Sequence, residues 1–489
     1  MSFPVFSPLS RFKDDPRGFV SSGAFLLFGT ILGIVAADLL VSGQRQLAFG
    51  LVLLLPVTIL IIKYPTFSVM VWLLLAPFLL TTPTAGGRTV YWMIHRALPP
   101  ATVGMIVLSH LLRFRKLPRL GPAELAMIGY AGTTLFSIAL LNKNPQATTY
   151  VFYDRVFSPM CLYFIVRLSS PGAKELKRLV PVIFFLGLSQ AIIGTFSWFA
   201  PQFLPQQWLN QAGERTTGSL HSYSVYTSTL VFSGLYLLHT ALNRKRGLVQ
   251  TVFISVFFLS IFCVFISYSR GSWMAGIVIL LGLAYLYRKF LLRWIFAIVL
   301  AATLFVGVIF VGDFPYVSER LSESDSALSR LPVALAAYRM FETKPISGWG
   351  YGNFDDYDRQ FQGRVGDLVN ANQDNVSHNV YLALLAEQGI LGLTLFLAPV
   401  VWWLYMTMIT KHKIPAEGFW SRRLLILLWL VILYHFIVNN FSHMRIVFGL
   451  GMWWFTLGLI ANIIDQYSTV RAESVESISR MRQEQNSII

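Results

Sequence analysis

The chain carries little charge for its length, because Asp, Glu, Lys and Arg make up only 13% of its 489 residues. Soluble domains carry about 25% charged residues, so this composition excludes an ordinary soluble enzyme, a disordered chain and a typical nucleic-acid-binding protein. Cysteine is scarce as well. Cys161 and Cys263 both lie in apolar segments, which excludes a disulfide framework.

Apolar residues are abundant instead: they form 55% of the chain, and the mean hydropathy is +0.60. A helix that crosses a bilayer needs about 20 apolar residues, because lipid offers no hydrogen-bond partner to an open backbone. We therefore predict an all-α, polytopic integral membrane protein with about 12 to 14 transmembrane helices. The predicted spans are 20–41, 47–62, 66–82, 100–114, 122–141, 148–168, 178–200, 222–242, 248–268, 271–287, 291–312, 379–410, 424–441 and 444–464.

The excess positive charge predicts the topology. Lys and Arg number 39 against 23 Asp and Glu, and their clusters fall in alternate loops, such as 113–119, 174–178 and 244–246. Cytoplasmic loops collect Lys and Arg, so we predict that these loops and both termini are cytoplasmic. The predicted divisions are a cytoplasmic segment 1–19, a transmembrane bundle 20–312, an extracytoplasmic loop 313–377 with short helices, C-terminal transmembrane helices 378–464 and a cytoplasmic tail 465–489.

Few basic residues lie on the predicted outer side, and two of them are candidates for phosphate binding. Arg270 stands between two apolar runs, within Ser269-Arg270-Gly271. Its guanidinium can bind phosphate oxygens bidentately, or it can simply snorkel to the membrane surface. Arg215 can also bind phosphate, or it can pair with the adjacent Glu214.

His378 lies where the long outer loop meets the predicted span 379–410. An imidazole titrates near neutral pH, so it can accept a proton as a general base. Alternatively, Ser377 or Asn379 caps the helix and His378 is a solvated neighbour. Glu387 follows inside the span, where a carboxylate is costly unless it is paired or functional.

The outer loop also contains a helical pattern and a glycine-rich turn. Apolar residues recur every three or four positions over 328–341, which predicts a helix with one face on the membrane surface. Gly348 and Gly350 follow, and no Gly-Lys-Ser/Thr sequence makes them a nucleotide loop. Their turn is either structural or in contact with substrate.

Asp154 and Arg155 place charge inside a predicted span, where charge usually indicates function. They can neutralise each other or pair with another helix, in a structural or a substrate-channel role. No group of His, Cys, Asp and Glu has the spacing of metal ligands. We therefore predict no metal site and no other cofactor.

Together these motifs resemble those of the O-antigen ligase and O-antigen polymerase superfamily. The resemblance covers roughly 210–400 and includes the many spans with one long outer loop late in the chain. The residues that carry it are Tyr268-Ser269-Arg270-Gly271, Arg330, Pro345, Gly348, Gly350, Phe354 and the Ser377-His378-Asn379 segment.

The resemblance implies a membrane glycosyltransferase of the bacterial inner membrane, in lipopolysaccharide or polysaccharide biosynthesis. It implies transfer of a glycan from undecaprenyl diphosphate to an acceptor hydroxyl on the outer side, inverting and metal-independent, with His378 as general base. The implied diphosphate ligands are Arg270, Arg215 and Arg330. The implied supporting residues are Asn379, Glu387, Gly348 and Gly350.

Three acceptors fit these motifs: lipid A-core in a ligase, another lipid-linked chain in a polymerase, or a protein hydroxyl in an oligosaccharyltransferase. We predict the ligase-like function. The alternative of another class is a transporter for a small anion such as bicarbonate, with Asp154 and Arg155 along its pathway. The large outer loop, the lack of visible repeats and the arginines on one face argue against it.

Overall fold

The computed structural model describes residues 57–209, 215–288, 330–362, 378–441 and 447–486, with seven positions between 30 and 42. The chain divides into two compact units, Met1–Phe67 and Ser68–Ile489. The described part of the first unit is helical at 57–63. The second unit contains every candidate site residue.

Helix is the regular structure of the described ranges. The order is α1 (Thr66–Leu79), α2 (Ala85–Trp92), α3 (Leu98–Leu111), α4 (Pro122–Leu141), α5 (Pro145–Phe152), α6 (Ser158–Ser169), α7 (Ala173–Lys177), α8 (Leu179–Phe199), α9 (Tyr223–Leu242), α10 (Leu248–Phe265), α11 (Arg270–Leu286), α12 (Leu331–Thr343), α13 (Phe354–Phe361), α14 (Val380–Thr410), α15 (Arg422–Asn439) and α16 (Val447–Asn486). Two π-helical turns, Met93–Ala97 and Tyr153–Phe157, join α2 to α3 and α5 to α6.

Within the described residues, seven helical segments are long and apolar enough to cross a membrane: α4, α7 with α8, α9, α10, α14, α15 and the first 22 residues of α16. This confirms the predicted class, an all-α multi-pass membrane protein. The predicted spans 20–41, 47–62 and 291–312 lie wholly or largely outside the described residues. The total of 12 to 14 spans therefore stays a prediction.

The centre of the second unit is formed by α9 and α16, which are almost wholly buried. A small residue also allows α16 to pack closely on α6, since a side chain at Gly458 of α16 would lie 3.2 Å from the backbone of Tyr163 in α6. Around this centre α10 packs on α9, α14 on α4, α11 on α15, and α12 on α14. Large apolar side chains such as Leu281 and Tyr285 of α11 are exposed, as lipid contact requires.

One buried arginine links three helices away from the candidate site. Arg167, at the end of α6, contacts Glu124 of α4 at 2.9 Å and Asp465 of α16 at 2.8 Å. Its third bond goes to the backbone oxygen of Arg119 at 3.1 Å. Because both acidic partners and a carbonyl satisfy the guanidinium, this network has a structural role.

Candidate functional site

The start of α14 fixes the backbone beside His378. Asn379 caps this helix, and its side-chain oxygen accepts hydrogen bonds from the backbone N–H groups of Tyr381 and Leu382, both at 3.0 Å. Of the two predicted caps, Asn379 is therefore used, while Ser377 lies outside the described residues. Capping by Asn379 is compatible with a catalytic role for His378. The capping bonds hold the residue that directly follows the histidine.

The end of α15 lies next to this cap. The side-chain amide of Asn379 donates to the side-chain oxygen of Asn440 at 3.3 Å. The ring of Tyr381, two residues after Asn379, packs on the ring of Phe436, about one turn before Asn440, with centroids 4.8 Å apart. The segment that carries His378 is therefore held against the C-terminal end of α15.

Two segments that carry candidate arginines contact the following residue, Phe441. Arg330, which precedes α12, donates from Nη1 to the backbone oxygen of Phe441 at 3.1 Å. Arg270 is the first residue of α11, after its cap Ser269. The next residue, Gly271, lies so close to Phe441 that a Cβ there would be 2.9 Å from the Phe441 Cβ.

Arg215 lies beside the turn that leads to Arg270. Its guanidinium is 5.0 Å from the centroid of the Tyr223 ring, a cation–π contact. The adjacent Thr216 is buried and donates to the backbone oxygen of Ile266 at 3.2 Å. The predicted alternative partner, Glu214, lies outside the described residues.

These contacts bring Arg270, Arg330 and the His378–Asn379 segment to one end of the bundle, and the segment of Arg215 contacts the turn before Arg270 through Thr216. The first backbone N–H groups of α11 also lie there, and a helix N-terminus adds partial positive charge to that of the arginines. Such an end attracts a polyanion. A titratable imidazole beside it supplies a possible proton acceptor.

Glu387, Gly348 and Gly350 lie at another place, where α14 breaks at Gly389. The N–H of Gly350 donates to the Glu387 carbonyl at 2.8 Å, and the N–H of Trp349 donates to the Ala386 carbonyl at 3.0 Å. The Glu387 carboxylate accepts from the N–H of Phe354 at 3.3 Å. These residues dock the glycine-rich turn on α14, about 13 Å along the helix from His378.

We expect Gly348→Ala to lower the stability of the folded protein. Gly348 has φ +67°, and a Cβ there would lie 2.3 Å from the backbone carbon of Glu387. Strain and overpacking together should cost about 2 kcal/mol or more, seen as a lower melting temperature in detergent. Gly104→Ala is the control, because nothing lies within 4 Å of that position. Equal melting temperatures for the two variants would contradict the tight docking.

The loop helix α12 buries a different face from the one predicted to lie on the membrane. Its buried residues Val333, Ala337 and Met340 form an apolar cluster with Phe354 of α13 and Ala386 of α14. The predicted membrane-facing residues are on the other face, with Leu331 and Tyr338 exposed. Contact of that face with lipid stays a prediction.

Asp154 pairs with a residue on another helix. Both oxygens of its carboxylate bind Arg96, with nitrogen–oxygen distances of 2.5 Å. The two residues lie in the facing π-helical turns, which often occur at functional sites. Beside them, buried His95 accepts from the Trp72 indole at 3.2 Å. The cation that neutralises Asp154 is thus Arg96, which lies 58 residues away in the sequence.

Three further residues of interest were not predicted from the sequence. Asn440 and Phe441 contact the candidate site segments, and only the polar pair after the apolar run of α15 could have indicated them. In α13, Asp358 is buried and accepts from Gln362 at 2.7 Å. Burial raises the pKa of the Asp358 carboxyl.

The fold and this site define a polytopic α-helical membrane protein with a cationic end beside a histidine. Residues 255–397 match the family model described as O-antigen ligase. A protein named O-antigen ligase, from Salmonella typhimurium strain LT2, is 28% identical over 176 residues, which span 34% of this chain and 42% of the relative. The two matches support the resemblance to the O-antigen ligase superfamily that the motifs indicated.

Proposed function

We propose that the protein is a membrane glycosyltransferase that moves a glycan from a polyprenyl diphosphate to an acceptor hydroxyl. Similarity to the O-antigen ligase family supports this, and so does one structural observation. The segments bearing Arg270, Arg330 and His378 are far apart in sequence, yet all contact Asn440–Phe441 at one end of the bundle. A diphosphate leaving group and a proton acceptor are needed side by side for such a transfer.

The arginines would bind the diphosphate and stabilise the charge that grows on it during departure. A guanidinium stays protonated and offers five N–H donors in a planar fork that matches phosphate oxygens. The Phe441 carbonyl accepts from one nitrogen of Arg330 and thereby orients that fork. Arg270 adds its charge to the positive end of the α11 dipole.

His378 would act as the general base. It removes the proton of the acceptor hydroxyl while that oxygen forms a bond to the anomeric carbon. The bond from this carbon to the diphosphate oxygen breaks, and the electron pair leaves with the polyprenyl diphosphate. Attack from the face opposite the leaving group inverts the anomeric configuration in one step.

The site would face away from the cytoplasm. The positive-inside pattern assigns both termini to the cytoplasm and the loop before His378 to the outer side of a bacterial inner membrane. A donor used there must bring its own leaving group through the membrane. A polyprenyl diphosphate does so, because its chain stays in lipid while its phosphates reach the surface.

The test of this function is reconstitution of the purified full chain in liposomes with a lipid-linked oligosaccharide, with and without lipid A-core. For the ligase-like function we expect glycans of unchanged length on lipid A-core, and only when that acceptor is present. A ladder of longer lipid-linked chains would assign a polymerase instead. Bicarbonate flux without glycan transfer in the same liposomes would replace the glycosyltransferase with a transporter.

A further inference from the structure

The C-terminal end of α15 makes three separate contacts with the candidate site. The side chain of Asn440 accepts from Asn379, the residue after His378. The backbone oxygen of Phe441 accepts from Arg330. The side chain of Phe441 packs against Gly271, the residue after Arg270. Each contact therefore involves a candidate residue itself or its immediate neighbour.

The orientation of Asn440 is itself fixed. Its amide nitrogen donates to the backbone oxygen of Phe436 at 2.8 Å, so its side-chain oxygen faces Asn379. A second hydrogen bond between the two helices lies one residue earlier, where the Asn439 side chain donates to the Tyr381 hydroxyl at 3.5 Å. The start of α14 is thus held to the end of α15 through polar bonds on two successive residues.

We propose that Asn440 and Phe441 are positioning residues of the transfer reaction. Asn440 sets the place of His378 through Asn379, while Phe441 sets the places of Arg330 and Arg270. This inference rests on the proposed function. Neither residue lies in 255–397, the part of the chain that matches the family model. Their role follows from the geometry, since they join the base to the cations that bind the leaving group.

The test is a double-mutant cycle on the reconstituted enzyme. Asn440→Ala removes the acceptor for Asn379, and Asn379→Ser keeps a capping hydroxyl that is too short to reach Asn440. Misplacement of a reacting group by about 1 Å can cost about 10²-fold, so each single variant should lower kcat up to about 10²-fold while KM for the donor changes little. The double variant should be no slower than the worse single one, because both remove one contact.

Asn462→Ala is the matched control for a loss of stability alone. Asn462 is buried in α16, about four turns into that helix, and donates to the Pro171 carbonyl at 2.9 Å. It should lower the melting temperature about as much as Asn440→Ala and leave kcat unchanged. Equal loss of kcat in both variants, or additive effects in the cycle, would overturn the positioning role of Asn440.

Phe441 has its own test, because Gly271 touches its side chain. A Cβ at Gly271 would lie 2.9 Å from the Phe441 Cβ and 3.2 Å from its ring, so Gly271→Ala should displace Phe441 and raise KM for the donor. Phe441→Gly in the same chain removes both the Cβ and the ring, and with them the clash, and should restore part of the loss. If the double variant binds the donor worse than Gly271→Ala alone, Phe441 does not act through this contact.

His378→Ala, measured in the same assay, separates the two proposals. Wild-type transfer in His378→Ala would refute the assigned base and with it the proposed mechanism. Inactive His378→Ala together with fully active Asn440→Ala would leave that mechanism intact and refute only the positioning role.

Discussion

His378→Ala should almost abolish glycan transfer in the reconstituted system. A positioned general base contributes about 10²- to 10⁴-fold to the rate, and kcat should fall by about that factor. The lipid-linked donor should still bind, because the arginines that would hold its diphosphate are unchanged. We therefore expect unreacted donor to accumulate, measured by chromatography of extracted lipids.

A second histidine provides the control for this experiment. His412 is exposed just after the end of α14, at the opposite end of that helix from His378. His412→Ala should transfer glycan at the wild-type rate. His378→Gln should behave like His378→Ala, since an amide can hydrogen-bond but cannot take up a proton. A fully active His378→Gln would contradict the role as base and support a role in hydrogen bonding alone.

Arg270→Lys should weaken transfer strongly although it keeps the positive charge. A lysine cannot form the bidentate contact that a guanidinium makes with phosphate oxygens. Removal of one donor to a developing oxyanion costs about 10²- to 10³-fold in kcat, and Arg270→Ala should fall in that range. Arg270→Lys should lie between this variant and the wild type, measured as initial rates at saturating donor.

The matched control for Arg270 is Arg423, an arginine in the first turn of another helix, α15. Arg423 lies 3.3 Å from Glu417, a residue of the loop before α15, and both side chains are exposed. Arg423→Lys should leave transfer unchanged, because an exposed ion pair contributes little. Wild-type rates for Arg270→Lys would favour the alternative interpretation, in which Arg270 only snorkels to the membrane surface.

The membrane class of the protein could be predicted from sequence because lipid allows few backbone solutions. An apolar run of about 20 residues must become a helix, and the observed α4, α9 and α10 follow the predicted spans closely. The cap at Asn379 was one of two predicted residues, since a capping amide next to an apolar run is a local signal. Local chemistry of this kind is readable without a structure.

Contacts between distant segments could not be predicted in the same way. Asn379 and Asn440 are 61 residues apart, and Arg330 and Phe441 are 111 residues apart. Spacing along the chain carries no information about such pairs. The partner of Asp154 could not be predicted for the same reason, because Arg96 lies on another helix 58 residues away.

Glu387 illustrates an intermediate case. A carboxylate inside an apolar span predicted pairing or function, and its position was correctly expected to need a partner. The partner is the backbone of the docked loop, which is available because α14 breaks at Gly389, where φ is +63°. No periodicity in the sequence indicates that break, because apolar residues continue on both sides of Glu387-Gln388-Gly389.

The helices α10, α11 and α14 pack mainly on helices outside the region that matches the family model. These helices lie within or largely within the matched region, yet α10 packs on α9, α11 on α15 and α14 on α4, all outside it. Residues 255–397 are therefore not an independent folding unit. Expressed alone, that piece would expose the faces that its neighbours cover. The motifs within 255–397 therefore depend on helices outside the matched region.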